Sequence, residues 1–130
     1  MSEQNKAIVR RLVEELDKHN FEVMEEVVSP DFIFHFPGNP MGFEAYKQFV
    51  LSVYEGLPNF HHKIEDQIAE GDRVATRVTD SGTHKGVFLG VPPTGNRVTV
   101  SAISIFRLAE GKIVEGWEEL DMQNLMQQLT

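Results

Sequence analysis

The sequence predicts an α+β fold with helices packed on one face of a curved antiparallel sheet. Two observations predict it. Up to Tyr54, apolar residues recur mainly at helical spacing, broken by one aromatic strand; from Phe60 onward the period changes to two. Helices first and a run of long strands afterwards is the order of α+β architectures. A chain of 130 residues without cysteine is read as one domain, residues 1–130, that buries its own core without disulfide support.

Residues 3–19 read as an amphipathic helix. Ile8, Val9, Leu12, Val13 and Leu16 form its apolar stripe, and His19-Asn20 stops it. A short helix over Glu22–Val28 follows, closed by Ser29-Pro30. Asp31–Phe36 is a strand in which Phe32, Phe34 and Phe36 alternate with Ile33 and His35, and Pro37-Gly38-Asn39-Pro40 breaks it. Gly42 to Tyr54 fits a third helix with Phe43, Tyr46, Phe49, Val50 and Val53 on one side.

Phe60–Glu70 and Arg73–Thr79 read as a hairpin around Glu70-Gly71-Asp72, with Val74, Thr76 and Val78 on one face and Arg77 on the other. Gly82 to Leu89 reads as a short irregular strand, and Gly90–Gly95 as a Pro/Gly loop. Asn96–Leu108 and Ile113–Leu120 form a second hairpin around Glu110-Gly111-Lys112. Asp121–Leu129 is a closing helix with Asp121 at or near its N-cap. A sheet that curves around helices leaves an apolar concavity, the setting small-molecule sites prefer.

The charge balance, 12 basic against 20 acidic residues for a net −8, argues against nucleic acid, which needs clustered Lys and Arg. The polar start Met1-Ser2-Glu3-Gln4-Asn5-Lys6 lacks the core of a secretory signal, and no apolar run reaches membrane-spanning length. The expectation is a cytoplasmic protein without membrane association. Adjacent His61 and His62 point to opposite faces of a strand and do not jointly chelate an ion; with no cysteine and no His pair at helical spacing, no metal site is expected. No nucleophile elbow is present and no Gly-rich phosphate loop precedes a helix, so hydrolase and nucleotide readings lack support.

The candidates for chemistry are titratable side chains near the concavity. Asp121 follows an apolar-aromatic strand; at a pocket mouth burial raises its pKa toward neutrality, whereas as an N-cap its oxygens serve the last helix. His35 lies opposite the Phe face of its strand, which is pocket or solvent on a curved sheet. His84 stands between Gly82 and Gly86, glycines that mark a bulge or a close backbone approach. Trp117 is the single tryptophan and is either a pocket wall or core. On an ideal strand it shares a face with Ile113, Glu115, Glu119 and Asp121, which implies a bulge or a wet face. Arg77 pairs with a carboxylate or holds a substrate carbonyl. Phe49 and Tyr54, on the third helix, are candidates to line the lumen.

The chain resembles the SnoaL-like polyketide cyclases, or ester cyclases, of the nuclear transport factor 2-like superfamily. The resemblance runs nearly end to end. It rests on Pro30-Asp31-Phe32 with His35 and Pro37, Ile64-Glu65-Asp66, Glu70-Gly71-Asp72-Arg73-Val74-Ala75, Arg77, Gly82-Thr83-His84-Lys85-Gly86 and Pro92-Pro93-Thr94-Gly95. Phe106-Arg107, Gly111-Lys112-Ile113-Val114-Glu115-Gly116-Trp117, Asp121 and Gln128-Leu129 complete it. It implies a cone-shaped α+β barrel with a deep apolar pocket and a homodimer or higher oligomer through the sheet. The reaction implied is an intramolecular aldol ring closure of a hydrophobic carbonyl substrate, without metal or cofactor. By the family motif Asp121 becomes the acid/base, with His35 and His84 beside it and Trp117 and Arg77 around the pocket. Two other readings stay open: a non-catalytic binding module of the same fold, and steroid-isomerase-like proton transfer, which asks for a Tyr or a protonated acid as oxyanion donor.

Overall fold

The computed structural model describes residues 2–37 and 39–130; Met1 and the Gly38 of the anticipated break fall outside the described residues. Helix α1 (Ser2–Asp17) buries Val9, Leu12, Val13 and Leu16. It ends where expected, in a Schellman motif: His19 N–H bonds Leu16 O and Asn20 N–H bonds Glu15 O. His19 takes the left-handed position usually given to glycine, at φ 64°. A short α2 (Val23–Val27) runs directly into strand β1 (Val28–Phe36).

The chain then forms a strand that sequence patterning misses, β2 (Asn39–Gly42), which pairs back on β1 as an antiparallel edge. Pro40 is tolerated there because an edge strand has one side free of ladder bonds. Helix α3 (Phe43–Gly56) follows, then β3 (His61–Glu70), β4 (Arg73–Thr83), β5 (Arg97–Ala109), β6 (Lys112–Leu120) and α4 (Met122–Leu129). The six strands lie in the order β2-β1-β6-β5-β4-β3. Among the described residues, β1 against β6 is the one parallel pair.

The architecture is the expected α+β cone, with one refinement: the sheet is curved but unclosed, with β2 and β3 as edges. The irregular strand expected over Gly82–Leu89 is also corrected. Gly82 and Thr83 finish β4, and the rest is a loop that contains an isolated Phe88–Val91 bridge. Its glycines mark a close approach, as their spacing suggested. A Cβ on Gly86 would lie 2.3 Å from Glu55 O, and Lys85 and Gly86 both donate to Gly56 O. Loop and helix end are thus docked backbone to backbone.

A bulge decides which β6 side chains face inward. Arg107 pairs with Glu115 but Leu108 with Ile113, so Val114 is the extra residue. Ile113 is therefore buried in the core, while Glu115, Trp117 and Glu119 leave it for the outer face. Gly116, Glu118 and Leu120 take the concave side. The ideal-strand reading, which put Ile113 with Glu115 and Trp117, fails at this residue. Gly116 is required by packing: a Cβ there would meet the Phe106 ring at 2.6 Å.

The core is one contiguous cluster between the helices and the concave face. Its centre is aromatic, with Phe32 4.9 Å from Tyr46 and Phe34 4.9 Å from the same ring. Among the described residues, no helix is long and apolar enough to cross a membrane.

Candidate functional site

An apolar cavity opens between the helices and the concave face of the sheet. Leu12, Val53, Phe34, Val100 and Phe106 form much of its wall. Phe36, Phe49, Leu89 and Leu120, all partly accessible, also line it. Into this apolar shell the sheet projects a small polar group: His62 from β3, Thr76 and Asp80 from β4, Ser104 from β5 and Glu118 from β6. Tyr46 and Tyr54 of α3 face them from the helical side.

Strand registers build this cluster. His62 pairs with Asp80 across the β3–β4 ladder. Thr76 pairs with Ser104, and Ser104 with Glu118, so these three cross the sheet in one row. Asp80 lies on the same face as Val74, Thr76 and Val78 because strand side chains alternate.

The carboxyls are shifted upward. Burial pushes Asp80 up to about 6, with His62 pulling it down and Asp17 pushing it further up. Burial pushes Glu118 up to about 7, helped by the charge of Asp80 and opposed by His62. Asp80 is 5% exposed and its Oδ1 has no hydrogen-bond partner among the described residues. An unpaired buried carboxyl oxygen costs on the order of 1–3 kcal/mol. Tyr46 is held protonated by burial and by the charge of Glu118.

Behind His62 stands Asp17, the last residue of α1. Its carboxylate accepts from the His62 backbone N–H (2.8 Å), from His62 Nδ1 (2.7 Å) and from the Tyr54 hydroxyl (2.7 Å). Burial raises the Asp17 pKa, but the bonds and charge of His62 and the bond from Tyr54 outweigh it, and the net shift is downward. For His62, burial lowers the pKa, while the Asp17 bond and the charges of Asp80, Asp17 and Glu118 raise it above its ordinary value. Adjacent His61 also reaches Asp17, with Nδ1 3.2 Å from Oδ2. Both histidines therefore lie within ion-pair distance of one carboxylate, His61 exposed and His62 partly buried at the start of the edge strand β3.

The residues anticipated from sequence are distributed differently. Phe49 and Tyr54 line the cavity. Asp121 is exposed, caps α4 by accepting from Asn124 N–H at 3.0 Å, and lies off the cavity wall. His35 and Trp117 lie on the outer face, stacked at 5.2 Å. His35 Nε2 is 2.8 Å from Glu115, which also accepts from Arg107. These contacts, His35's first, hold the Glu115 carboxyl below its usual range. Arg73 covers the far side of Trp117 at 5.1 Å. Arg77 pairs outside with Asp66, Nε to Oδ2 2.8 Å. His84 is fully buried beneath the loop, with Nδ1 3.0 Å from Thr94 Oγ1 and Nε2 donating to Val91 O at 3.2 Å. It shapes the loop that carries Phe88 and Leu89 to the cavity rather than lining the cavity itself.

Asp17, His62, Asp80 and Glu118 are the residues that sequence reasoning missed. Two carried a signal. Asp80 continues the Val74, Thr76, Val78 alternation, and Asp17 lies four residues beyond Val13 on the apolar stripe of α1. Glu118 was hidden by the bulge at Val114.

The profile of the SnoaL-like polyketide cyclases matches residues 6–129 of the chain. A proposed SnoaL-like polyketide cyclase from Jannaschia sp. CCS1 is 30% identical, with 99% of this chain and 93% of that one covered and a TM-score of 0.93. AclR, a proposed hydroxylase from Streptomyces galilaeus, is 28% identical over 99% of this chain and 97% of its own, with a TM-score of 0.91. IdmH, a proposed polyketide cyclase from Streptomyces antibioticus, is 29% identical over 97% and 98%, with a TM-score of 0.86. Among curated proteins none matches the chain.

Proposed function

Because the chain belongs to the SnoaL-like polyketide cyclase family, we propose that it closes rings by acid–base aldol chemistry on an apolar carbonyl compound held in the cavity. The observation that carries this reading is Glu118, a carboxyl facing an apolar cavity with its pKa pushed up to about 7. A carboxylate with that pKa takes a proton from carbon near neutral pH and returns it without a large mismatch. The carbon acid lies between or beside carbonyls, so the substrate delocalises its own charge. Holding the two ends of one chain together in the cavity supplies further rate.

This reading moves the acid/base from Asp121 to Glu118. Asp121 is spent on a helix cap, whereas Glu118 faces the space where a substrate would lie. Phe49 and Tyr54 keep the lining roles expected of them. A second reading, steroid-isomerase-like proton transfer, has one observation in its favour: Tyr46 lines the same cavity, held protonated by burial and by the Glu118 charge, as an oxyanion donor should be.

The proposal includes self-association through the sheet. Ile33, Ile103 and Ile105 are 39%, 51% and 38% exposed. They lie on the outer face among Arg73, Arg77 and Arg107 and the carboxylates of Asp66 and Glu115. An apolar patch ringed by both signs of charge complements itself across a two-fold axis.

The test of the catalytic reading uses a 1,5-diketone that closes to a six-membered ring. Wild-type protein is expected to exchange its α-protons in D2O and to form the ring, with Glu118→Gln slower by about 10²-fold or more and folded by circular dichroism. Absence of both exchange and closure in the wild type, or equal rates in the variant, would overturn it.

A further inference from the structure

The gap between His62 and Asp80 points to a site nothing above assigns. His62 Nδ1–H is committed to Asp17, so Nε2 is the ring atom left for the cavity. It stops 3.9 Å from Asp80 Oδ1, too far for a hydrogen bond. That same Oδ1 is buried with no hydrogen-bond partner among the described residues. Two polar atoms on the cavity lining thus face each other without a bond between them. A hydroxyl oxygen placed about 2.8 Å from each would accept from Nε2–H and donate to Oδ1 at an angle of about 90°; a carbonyl oxygen at the same place takes the Nε2–H bond alone.

We infer that this gap binds one oxygen of the substrate, the carbonyl that becomes a hydroxyl during ring closure, and that Asp17 is a positioning residue that holds His62 Nε2 toward it. The assignment of the ligand class rests on the cyclase reading above; the site itself rests on geometry. Asp17 fixes His62 at two points, the backbone N–H and Nδ1. Tyr54 fixes Asp17 in turn. The ring is also braced edge-on by Phe60 at 4.8 Å.

The step balances. Glu118 carboxylate takes the carbon-bound proton, and the resulting enolate carbon bonds to the carbonyl carbon. The carbonyl π pair moves onto oxygen, and His62 Nε2–H gives that alkoxide its proton. The product hydroxyl can then donate to Asp80 Oδ1. Glu118 now holds the proton that His62 has lost, and exchange with solvent restores both. His62 is faced by Asp17 from α1, Tyr54 from α3, its neighbour His61 on β3, Asp80 from β4 and Glu118 from β6. Asp17, Asp80 and Glu118 are anionic when ionised, and their charges favour the cationic ring that donates from Nε2.

The experiment uses the full chain and phenol as the probe, with toluene as its isostere lacking the hydroxyl, followed by 15N NMR of the imidazoles at pH 7. Phenol is expected to shift His62 Nε2 on binding and to bind about 10-fold more tightly than toluene. Asp17→Asn, which keeps the acceptor and removes the charge, is expected to keep the fold, lower the His62 pKa and weaken the Nε2 response at pH 7. If phenol leaves His62 unmoved up to its solubility, or binds no better than toluene, the site is overturned. An unchanged His62 titration in Asp17→Asn overturns the positioning role. These outcomes are independent of the diketone assay: ring closure with a silent His62 discards this site and keeps the cyclase, and a responsive His62 without closure does the reverse.

Discussion

Asp17 and His62 are joined twice, at 2.8 Å through the His62 backbone N–H and at 2.7 Å through its ring Nδ1. The pair ties the C-terminus of α1 to the edge strand β3, the open side of the cone. A helix C-terminus disfavours a carboxylate, so Asp17 depends on these donors. Asp17→Ala should lose 3–5 kcal/mol, about the cost of breaking a buried charged pair, read as a fall in urea midpoint. Asp17→Asn should lose less, because its side-chain oxygen still accepts from Nδ1.

Stability should be greatest at mildly acidic pH. Asp80 and Glu118 have folded pKa values of about 6 and about 7, above the ordinary 3.9 and 4.3 or so. Their contribution is therefore fully present below about pH 4 and is lost as pH rises through those folded values. His62, raised above its ordinary value, acts in the same sense: its contribution is present below about 6.5 and is lost as pH rises through the folded value. Asp17, lowered, contributes above about 3.9 and is lost as pH falls through its folded value. The melting temperature should thus peak between about pH 4 and 6 and decline toward pH 8. Glu118→Gln should flatten the decline by on the order of 2–3 kcal/mol across that span. A melting temperature that climbs from pH 5.5 to 8 would contradict the burial of these carboxyls.

Asp121→Ala separates two roles that the sequence left open. Loss of the cap on α4 should cost about 1 kcal/mol, seen as a modest fall in melting temperature. Diketone turnover should stay within about twofold, since an acid/base removed from the reaction would cost 10²-fold or more. A loss of that size in Asp121→Ala would return the catalytic role to Asp121.

Much of the frame was legible because it follows from period and punctuation. The stripe Val9, Leu12, Val13, Leu16 gave α1, and the Gly71 and Gly111 turns gave both hairpins. Element order gave helices on one face of a curved sheet, and the family motifs made that sheet a cone. What stayed hidden depends on single-residue geometry. Pro40 reads as a breaker, yet β2 forms because it sits at an edge. One bulged residue, Val114, exchanged the faces of Trp117 and Glu118. Asp17, His62 and Asp80 come from three separate elements, and no spacing in one chain shows that they meet.

Self-association is testable by one outer-face substitution. Ile103 is 51% exposed at the centre of the sheet, between Arg77 on β4 and Glu119 on β6. The wild type should sediment as a dimer at micromolar concentration. Ile103→Lys buries a charge in that interface, a cost that exceeds what a modest interface supplies, and should sediment as a monomer with the same circular dichroism. A wild type that is monomeric at all accessible concentrations would remove the dimer from the proposal.

The pH dependence of turnover tests the division of labour between Glu118 and His62. A base must be unprotonated, so kcat/KM should rise with pH through about 7, the Glu118 value. An acid must be protonated, so the rate should fall again as pH passes the raised His62 value. The profile is expected to be a bell whose two limbs belong to the coupled cluster. Asp80→Asn removes a negative charge that raises both groups, so both limbs should move to lower pH together. That joint shift is the informative result, because each limb alone could move through a local change in packing. If the acid limb moves while the alkaline limb stays, Asp80 acts on Glu118 alone and His62 is not the proton donor.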